Sequence, residues 1–339
     1  MTCQIRFKPI MCCLLLVLML PLTSIWAQAP SGRGGGAYGD YQIKYKVRER
    51  EMTSILSFSR DGEGNRTAQW ISFTRVSEVK DLKVEDGKIS FSRESRNRDG
   101  ETTISTFTGT IADRKLTGTM SSDRGEYTIE GAPMPRMPRA VGSWAMTIKL
   151  EDRETNLTLV VKADKEEKLT ALWKSERGEL EIPDVQYERG TLRFKVERKR
   201  EDRQWTANFE GRIQRDGTLA GVITSDRGEM KIEGKRIGAP LIGTWNLESV
   251  SERGTYKGRL KVNPDMSGLY GATPIEKVTL EDNKVSLKIV LSFGDQTREM
   301  NFAGKVEDAK LSGEMTASWG SSKVTGTKVV RTSRGRPSR

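Results

Sequence analysis

The chain has 339 residues, with 57 lysines and arginines against 46 aspartates and glutamates, no histidine, three cysteines and a formal net charge of +11. Without histidine it lacks the side chain most used for proton transfer and metal binding near neutral pH, which excludes the usual zinc sites and the serine and cysteine triads. The cysteines, Cys3, Cys12 and Cys13, all fall within the first 27 residues.

Residues 1–27 carry Arg6 and Lys8, an apolar run from Ile10 to Leu20, then Pro21 and a small-residue end at Ala27. This is the layout of a secretory signal peptide, with an apolar part too short to span a membrane, so the chain is expected to be exported to the periplasm, the cell surface or the medium. Pro9-Ile10-Met11 ahead of Cys12 is not a lipidation box. Removing the leader lowers the surplus charge from +11 to +9 and leaves no thiol, so stability has to come from packing. No later stretch is long and apolar enough to cross a membrane as a helix. Residues 28–36, rich in Gly, Ser and Pro, read as a flexible linker.

From there one segment of roughly 100 residues is written three times, the mark of a copied module. The copies open with Gly39-Asp40-Tyr41, Gly142-Ser143-Trp144 and Gly243-Thr244-Trp245. Near their ends come Phe107-Thr108-Gly109, Phe209-Glu210-Gly211 and Phe302-Ala303-Gly304, then Leu116-Thr117-Gly118, Leu219-Ala220-Gly221 and Leu311-Ser312-Gly313. The repeats are expected over 37–132, 141–237 and 242–330, joined by a proline-rich linker at 133–140 and a much shorter one at 238–241. The short link predicts that the second and third modules pack more closely than the first and second. Residues 331–339 read as a basic, disordered tail. The modules themselves are near charge balance, so nucleic acid is not an expected partner, and a monomer is expected.

Within the second module nearly every stretch alternates apolar with polar, the period of strands with one buried face. Trp144, Met146, Ile148 and Leu150 open it, followed by Leu157 to Val161, Leu169 to Trp173, Leu180 to Ile182, Leu192 to Val196, Trp205 to Phe209, Leu219 to Ile223 and Met230 to Ile232. No helical period follows the leader. Eight short strands in a row would expose two edges unless the sheet closed on itself, so the fold class is all-β: three tandem eight-stranded antiparallel up-and-down β-barrels. Glycines inside strands suit the coiling of a small barrel.

A Gly-x-Trp at the first strand followed by seven more up-and-down strands resembles the calycin group of lipocalins, fatty-acid-binding proteins and avidin-like barrels, although the first copy has Tyr41 in place of tryptophan. That resemblance implies a small barrel with an arginine near the last strand lying over the tryptophan. Arg236 and Arg331 fit that position, and Arg136, among prolines, fits it less well. Family ligands do not follow from the fold.

Ser-[Asp/Glu]-Arg-Gly occurs at 122–125, 175–178, 225–228 and 251–254. It reads as a hairpin turn whose glycine supplies positive φ; as a binding motif, it would place Arg124 and Arg227 at loop tips able to clasp an anionic polymer. Trp144, Trp173, Trp205 and Trp245 fall on the apolar phase and belong to cores, whereas Trp319 sits at a turn and is the tryptophan best placed to stack on a ligand. The candidate ligand-binding residues are therefore Trp319, Arg124 and Arg227.

No catalytic, cofactor-binding or metal-binding residues are expected, because every Asp and Glu of the second module falls on the outward phase or in a turn, and no ionisable group is expected to face inward. The expected function is that of an exported, non-catalytic binding or scaffold protein for a small apolar ligand or a cell-envelope polymer. The inward side chains are bulky for so small a barrel, which leaves two arrangements open: a cavity in each barrel, or filled barrels that bind on their rims and outer faces. An outer-membrane barrel is a competing reading, opposed by charged strand ends and by the lack of long loops on alternate sides. A hydrolase is the other.

Overall fold

The computed structural model describes residues 38–329, apart from 48–49, 97–100, 150–152, 201–202, 215, 253 and 294–295. The expected leader, the linker at 28–36 and the basic tail lie outside the described residues. No helix occurs among the described residues.

The first barrel runs from strand Gly39–Val47 to strand Gly125–Pro133, and these two close it, with Tyr41 opposite Pro133 and Ile43 opposite Gly131. The second runs from Gly142–Lys149 to Gly228–Arg236 and closes in the same register, with Trp144 opposite Arg236 and Met146 opposite Gly234. Both are eight-stranded, antiparallel and up-and-down.

The third, from Gly243–Ser251 to Gly320–Lys328, departs from expectation: it is a nine-stranded sheet, barrel-shaped and nearly closed, with no ladder joining its two edge strands. The cause lies in the fourth strand. In the second barrel that strand, Gly178–Glu188, pairs first with Leu169–Ser175 and then, beyond Pro183, with Thr191–Arg200. In the third barrel the equivalent run is broken at Glu276-Lys277 into Thr273–Ile275 and Val278–Glu281. Pro274 has no N–H to offer a ladder. Val278 spends its own N–H on the Met266 carbonyl, 2.7 Å away in the preceding loop.

The repeated Phe-x-Gly and Leu-x-Gly motifs are one device. Gly109 faces Gly118, Gly211 faces Gly221 and Gly304 faces Gly313 across adjacent strands. The phenylalanine two residues earlier folds its ring along the pleat onto the glycines: a Cβ on Gly109 or Gly118 would stand 2.6 or 2.5 Å from Phe107 Cζ, and one on Gly304 or Gly313 would stand 2.6 or 2.7 Å from Phe302 Cζ. Only a residue without a Cβ lets the ring lie flat against the backbone there.

Large side chains occupy the interiors. Trp70, Trp144, Trp245, Phe91, Phe107 and Phe209 are fully buried, and Phe194 stacks on Phe209 with centroids 4.5 Å apart. Trp173 is also buried, while Trp205 packs on the core with part of its surface exposed. Each such side chain contributes about 1.5 to 3 kcal/mol through its burial. The absence of inward ionisable groups, however, does not hold. Arg93, in phase with Ile89 and Phe91, points into the first barrel, and Arg198, in phase with Phe194 and Val196, points into the second.

A tryptophan plugs the base of the second and third barrels. Trp144 donates through Nε1 to the Ala140 carbonyl at 3.0 Å, and Trp245 to that of Leu241 at 2.7 Å. Arg236 lies over Trp144, 4.0 Å from the ring centroid, and donates to the carbonyls of Val141 and Arg139. Burial and the neighbouring Arg139 lower this guanidinium to about 10. Arg331 lies outside the described residues, and Lys328 stands over Trp245 instead, Nζ 5.5 Å from the centroid, donating to the Pro240 carbonyl at 2.7 Å. Arg136 reaches toward Gly39.

Candidate functional site: the junction of the first and third barrels

The second and third barrels touch where Gly142 lies against the Pro264 carbonyl. The first and third barrels, far apart in sequence, also dock side to side. Alternation turns Tyr41, Ile43 and Tyr45 into the first barrel and Asp40 outward. In the third barrel, strand Gly254–Val262 likewise turns Leu260 and Val262 in and Lys257, Arg259 and Lys261 out. Two outward faces meet.

Arg259 Nη2 lies 3.1 and 3.0 Å from the two carboxylate oxygens of Asp40, Lys261 Nζ lies 3.4 Å from Oδ2, and Ser57 donates to Oδ1 at 2.7 Å. The side chains of Asp40 and Arg259 are each only 7% exposed, so this is a buried ion network. Desolvation is the largest single influence on the Asp40 carboxyl and pushes its pKa up. Arg259, the Ser57 hydrogen bond and Lys261 together outweigh it and hold the pKa below the ordinary 3.8.

Further along, the turn after strand Arg66–Ile71 clasps the broken side of the third barrel. Ala272 N–H donates to the Ser72 carbonyl at 3.1 Å, the Thr273 hydroxyl donates to the Phe73 carbonyl at 3.0 Å, and the Phe73 ring packs on the third core. Gly271, at φ 59°, sits so close under the Ser72 and Phe73 carbonyls that a Cβ would collide with them. Arg75 lies over the ring of Tyr256 at 4.3 Å, and Lys257 reaches Glu78 at 3.5 Å.

Beside these contacts a cleft of about 580 Å³ opens between the two barrels. Four carboxylates, Glu78, Glu248, Glu307 and Asp308, stand along it against two lysines, Lys257 and Lys310. Amides of Gln69 and Asn246 and the hydroxyls of Ser312, Thr325 and Thr327 complete its polar lining. Such a surface offers both donors and acceptors, carries a net negative charge and presents no aromatic wall.

The residues singled out from sequence lie elsewhere. Arg124 and Arg227 sit at the tips of the last hairpins of the first and second barrels, and Trp319 at that of the third, so the fold distributes them over three barrel mouths. Arg124 pairs loosely with Glu101 at 3.6 Å, both exposed. The four Ser-[Asp/Glu]-Arg-Gly runs are turns: in each the serine hydroxyl donates to the glycine carbonyl at 3.3 to 3.5 Å, and the glycine has φ between 104 and 113°. Trp319 is 36% exposed, with Arg298 at 5.6 Å over its ring.

No protein-family model matches the chain, and no curated protein matches it. Among solved structures it is similar to a putative outer membrane protein from Bacteroides fragilis, at 12% identity over 58% of this chain and 95% of that one, with a TM-score of 0.23. It is also similar to a protein of unknown function of the DUF3598 family from Nostoc punctiforme, at 12% identity over 86% and 96% of the two chains, TM-score 0.20. A transferrin binding protein B variant from Haemophilus parasuis aligns at 10% identity over 86% and 76%, TM-score 0.21. Overlaps this loose assign nothing to this chain.

Proposed function

We propose that the chain is an exported, non-catalytic binding protein whose barrels act as solid supports and whose ligand, a neutral or amine-bearing glycan segment of the cell envelope, lies in the cleft between the first and third barrels. The cleft carries the reading: its volume of about 580 Å³ is that of a ligand site, and its amides, hydroxyls and carboxylates match the alternating donors and acceptors of a polyol. Its four carboxylates against two lysines favour a neutral or cationic ligand over an anionic one. The bulky buried side chains of the barrel interiors favour binding on outer faces over an apolar guest inside. Cross-strand ion pairs stud those faces, among them Lys80–Glu94 at 2.6 Å, Lys149–Glu233 at 2.9 Å and Lys288–Glu299 at 2.6 Å. An exterior of this kind suits water rather than lipid, which supports a soluble protein over an outer-membrane barrel. The most deeply buried acid, Asp40, is already held by three partners, which supports a structural rather than a catalytic role. Trp319, half exposed under Arg298, offers a separate stacking face at the mouth of the third barrel, and Arg124 and Arg227 border the other two mouths.

The test is calorimetric titration of the leaderless chain with N-acetylated and de-acetylated chito-oligosaccharides. One saturable site per chain is expected, weakened by the combined substitutions Glu248→Gln and Asp308→Asn and unchanged by Arg227→Ala in the second barrel. Binding that ignores the cleft substitutions, or no binding to either series, overturns the proposal.

A further inference from the structure

Superposing the three copies on their equivalent inner positions aligns Phe91 of the first barrel, opposite Phe107, with Phe194, opposite Phe209, and with Leu287, opposite Phe302. Two residues on, the inward position is Arg93 in the first barrel, Val196 in the second and Ile289 in the third. A guanidinium thus stands where the other copies carry an aliphatic side chain.

Arg93 is near the mouth end of its strand, half-buried, with Cζ 4.7 Å from the ring centroid of Trp70. Its Nε and the Nε1 of Trp70 are both buried and neither has a hydrogen-bond partner; among the described residues no other buried side-chain nitrogen or oxygen is left so. Among the described residues no carboxylate forms an ion pair with Arg93. The neighbours are hydroxyl groups. Tyr45, edge-on to Trp70 at 5.6 Å and stacked on Tyr127 at 5.2 Å, shares a 3.1 Å hydrogen bond with Ser54, and Ser105 faces Arg93 across the ladder. Burial lowers the pKa of the Arg93 guanidinium and raises that of the Tyr127 hydroxyl.

Buried donors without acceptors are rare in folded proteins and costly. Two of them on stacked side chains, one carrying a full charge, with hydroxyls nearby in the copy that departs from an aliphatic, are complementary to an anion with several oxygens. Beneath Arg93 lie the buried side chains of Phe91, Phe107 and Met120. At the mouth, Met52 is 41% exposed.

We propose that the mouth of the first barrel is a binding site for a single oxyanion end group, a phosphate or carboxylate, held by the guanidinium of Arg93 and the indole N–H of Trp70. The site is separate from the cleft and takes the opposite charge.

The experiment uses the leaderless chain labelled with ¹⁵N in its tryptophan indoles, titrated with inorganic phosphate and, separately, with octyl phosphate below its micelle concentration. Trp70 is assigned from Trp70→Phe. The expected result is a saturable downfield movement of the Trp70 indole proton while the other indole resonances hold still, with affinity falling roughly tenfold or more in Arg93→Val, the loss of one charge-assisted contact. Arg93→Val installs the residue of the second copy; if it does not fold, Arg93→Met is used with the same expected loss. Tighter binding of octyl phosphate than of phosphate assigns the site to the head group of an amphiphile, and equal binding assigns it to the free ion. A Trp70 resonance that neither probe moves, or equal affinities in the parent and Arg93→Val, overturns the proposal. The cleft substitutions Glu248→Gln and Asp308→Asn leave this titration unchanged, so failure of the glycan reading and failure of this one are told apart.

Discussion

Asp40→Ser is the sharpest perturbation of the junction. It installs the small hydroxyl that the second barrel carries at the same place, Ser143, and leaves Arg259 buried, its side chain 7% exposed, with no carboxylate. Removing one member of a buried ion pair costs about 3 to 5 kcal/mol, because the remaining charge stays desolvated. Arg259→Thr, after Thr158 of the second barrel, costs less, since Lys261 at 3.4 Å and Ser57 at 2.7 Å still hold Asp40. Combining the two removes both charges and recovers most of the loss, giving a coupling of about 1.5 to 3 kcal/mol in a double-mutant cycle. Urea denaturation of residues 28–339, followed by tryptophan fluorescence, measures the cycle, with the exposed pair Lys80–Glu94 as the control, expected below about 1 kcal/mol. The sign with pH follows from the depressed carboxyl: its contribution is complete above the unfolded value of about 3.9 and is lost as pH falls through the lower folded value. The parent therefore loses stability relative to Asp40→Ser/Arg259→Thr only below about pH 4. A coupling no larger than that of the Lys80–Glu94 control would refute the buried-lock reasoning.

Trp144→Ala removes a fully buried plug together with its bond to the Ala140 carbonyl and the seat of Arg236; a loss of about 3 to 5 kcal/mol is expected, and less than about 1 kcal/mol in chemical denaturation contradicts a core role. Gly118→Ala forces a Cβ to within 2.5 Å of Phe107 Cζ, an overpacking expected to cost about 1 to 3 kcal/mol, whereas the same change at Gly125, where the space is open but φ is 113°, costs only backbone strain. Thermal melts of the two variants rank them, and equal melting points would sink the account of the Phe-x-Gly device.

The barrels were legible because alternation reports which side of a sheet each residue takes. It does not report what lies on the other side. Asp40, Ile55 and Ser57 all take the outward phase of the first barrel, yet Ile55 is 4% and Ser57 9% exposed, because this is the face on which the third barrel sits. Nothing local distinguishes such a residue from a solvated one. The break in the third barrel was half visible, in Gly271 and Pro274, but the capture of the Val278 N–H by the Met266 carbonyl is a tertiary event. Arg93 was readable: Ile89, Phe91 and Arg93 alternate inward as plainly as Leu192, Phe194 and Val196 do, and applying the second module's pattern to the first finds it. Lys328 was also within reach, since Val324, Gly326 and Lys328 repeat the spacing of Ile232, Gly234 and Arg236.

Three copies of one module permit a comparison that a single domain does not. Where the copies agree, as in the Phe-x-Gly and Leu-x-Gly strands, the shared residue answers a demand internal to every barrel. Where they differ in chemical kind at one position of the ladder, the demand comes from outside that barrel. The place of Asp40 is taken by Ser143 and Thr244, and the place of Arg259, set by the register of the first two strands in each copy, is taken by Thr158 and Ile55. The opposite charges thus occur only on the two faces that meet at this junction. By the same logic Arg93, set against Val196 and Ile289, marks a contact that the second and third barrels do not make. Among the described residues no carboxylate pairs with Arg93, and the oxyanion proposed above would reach it from the mouth.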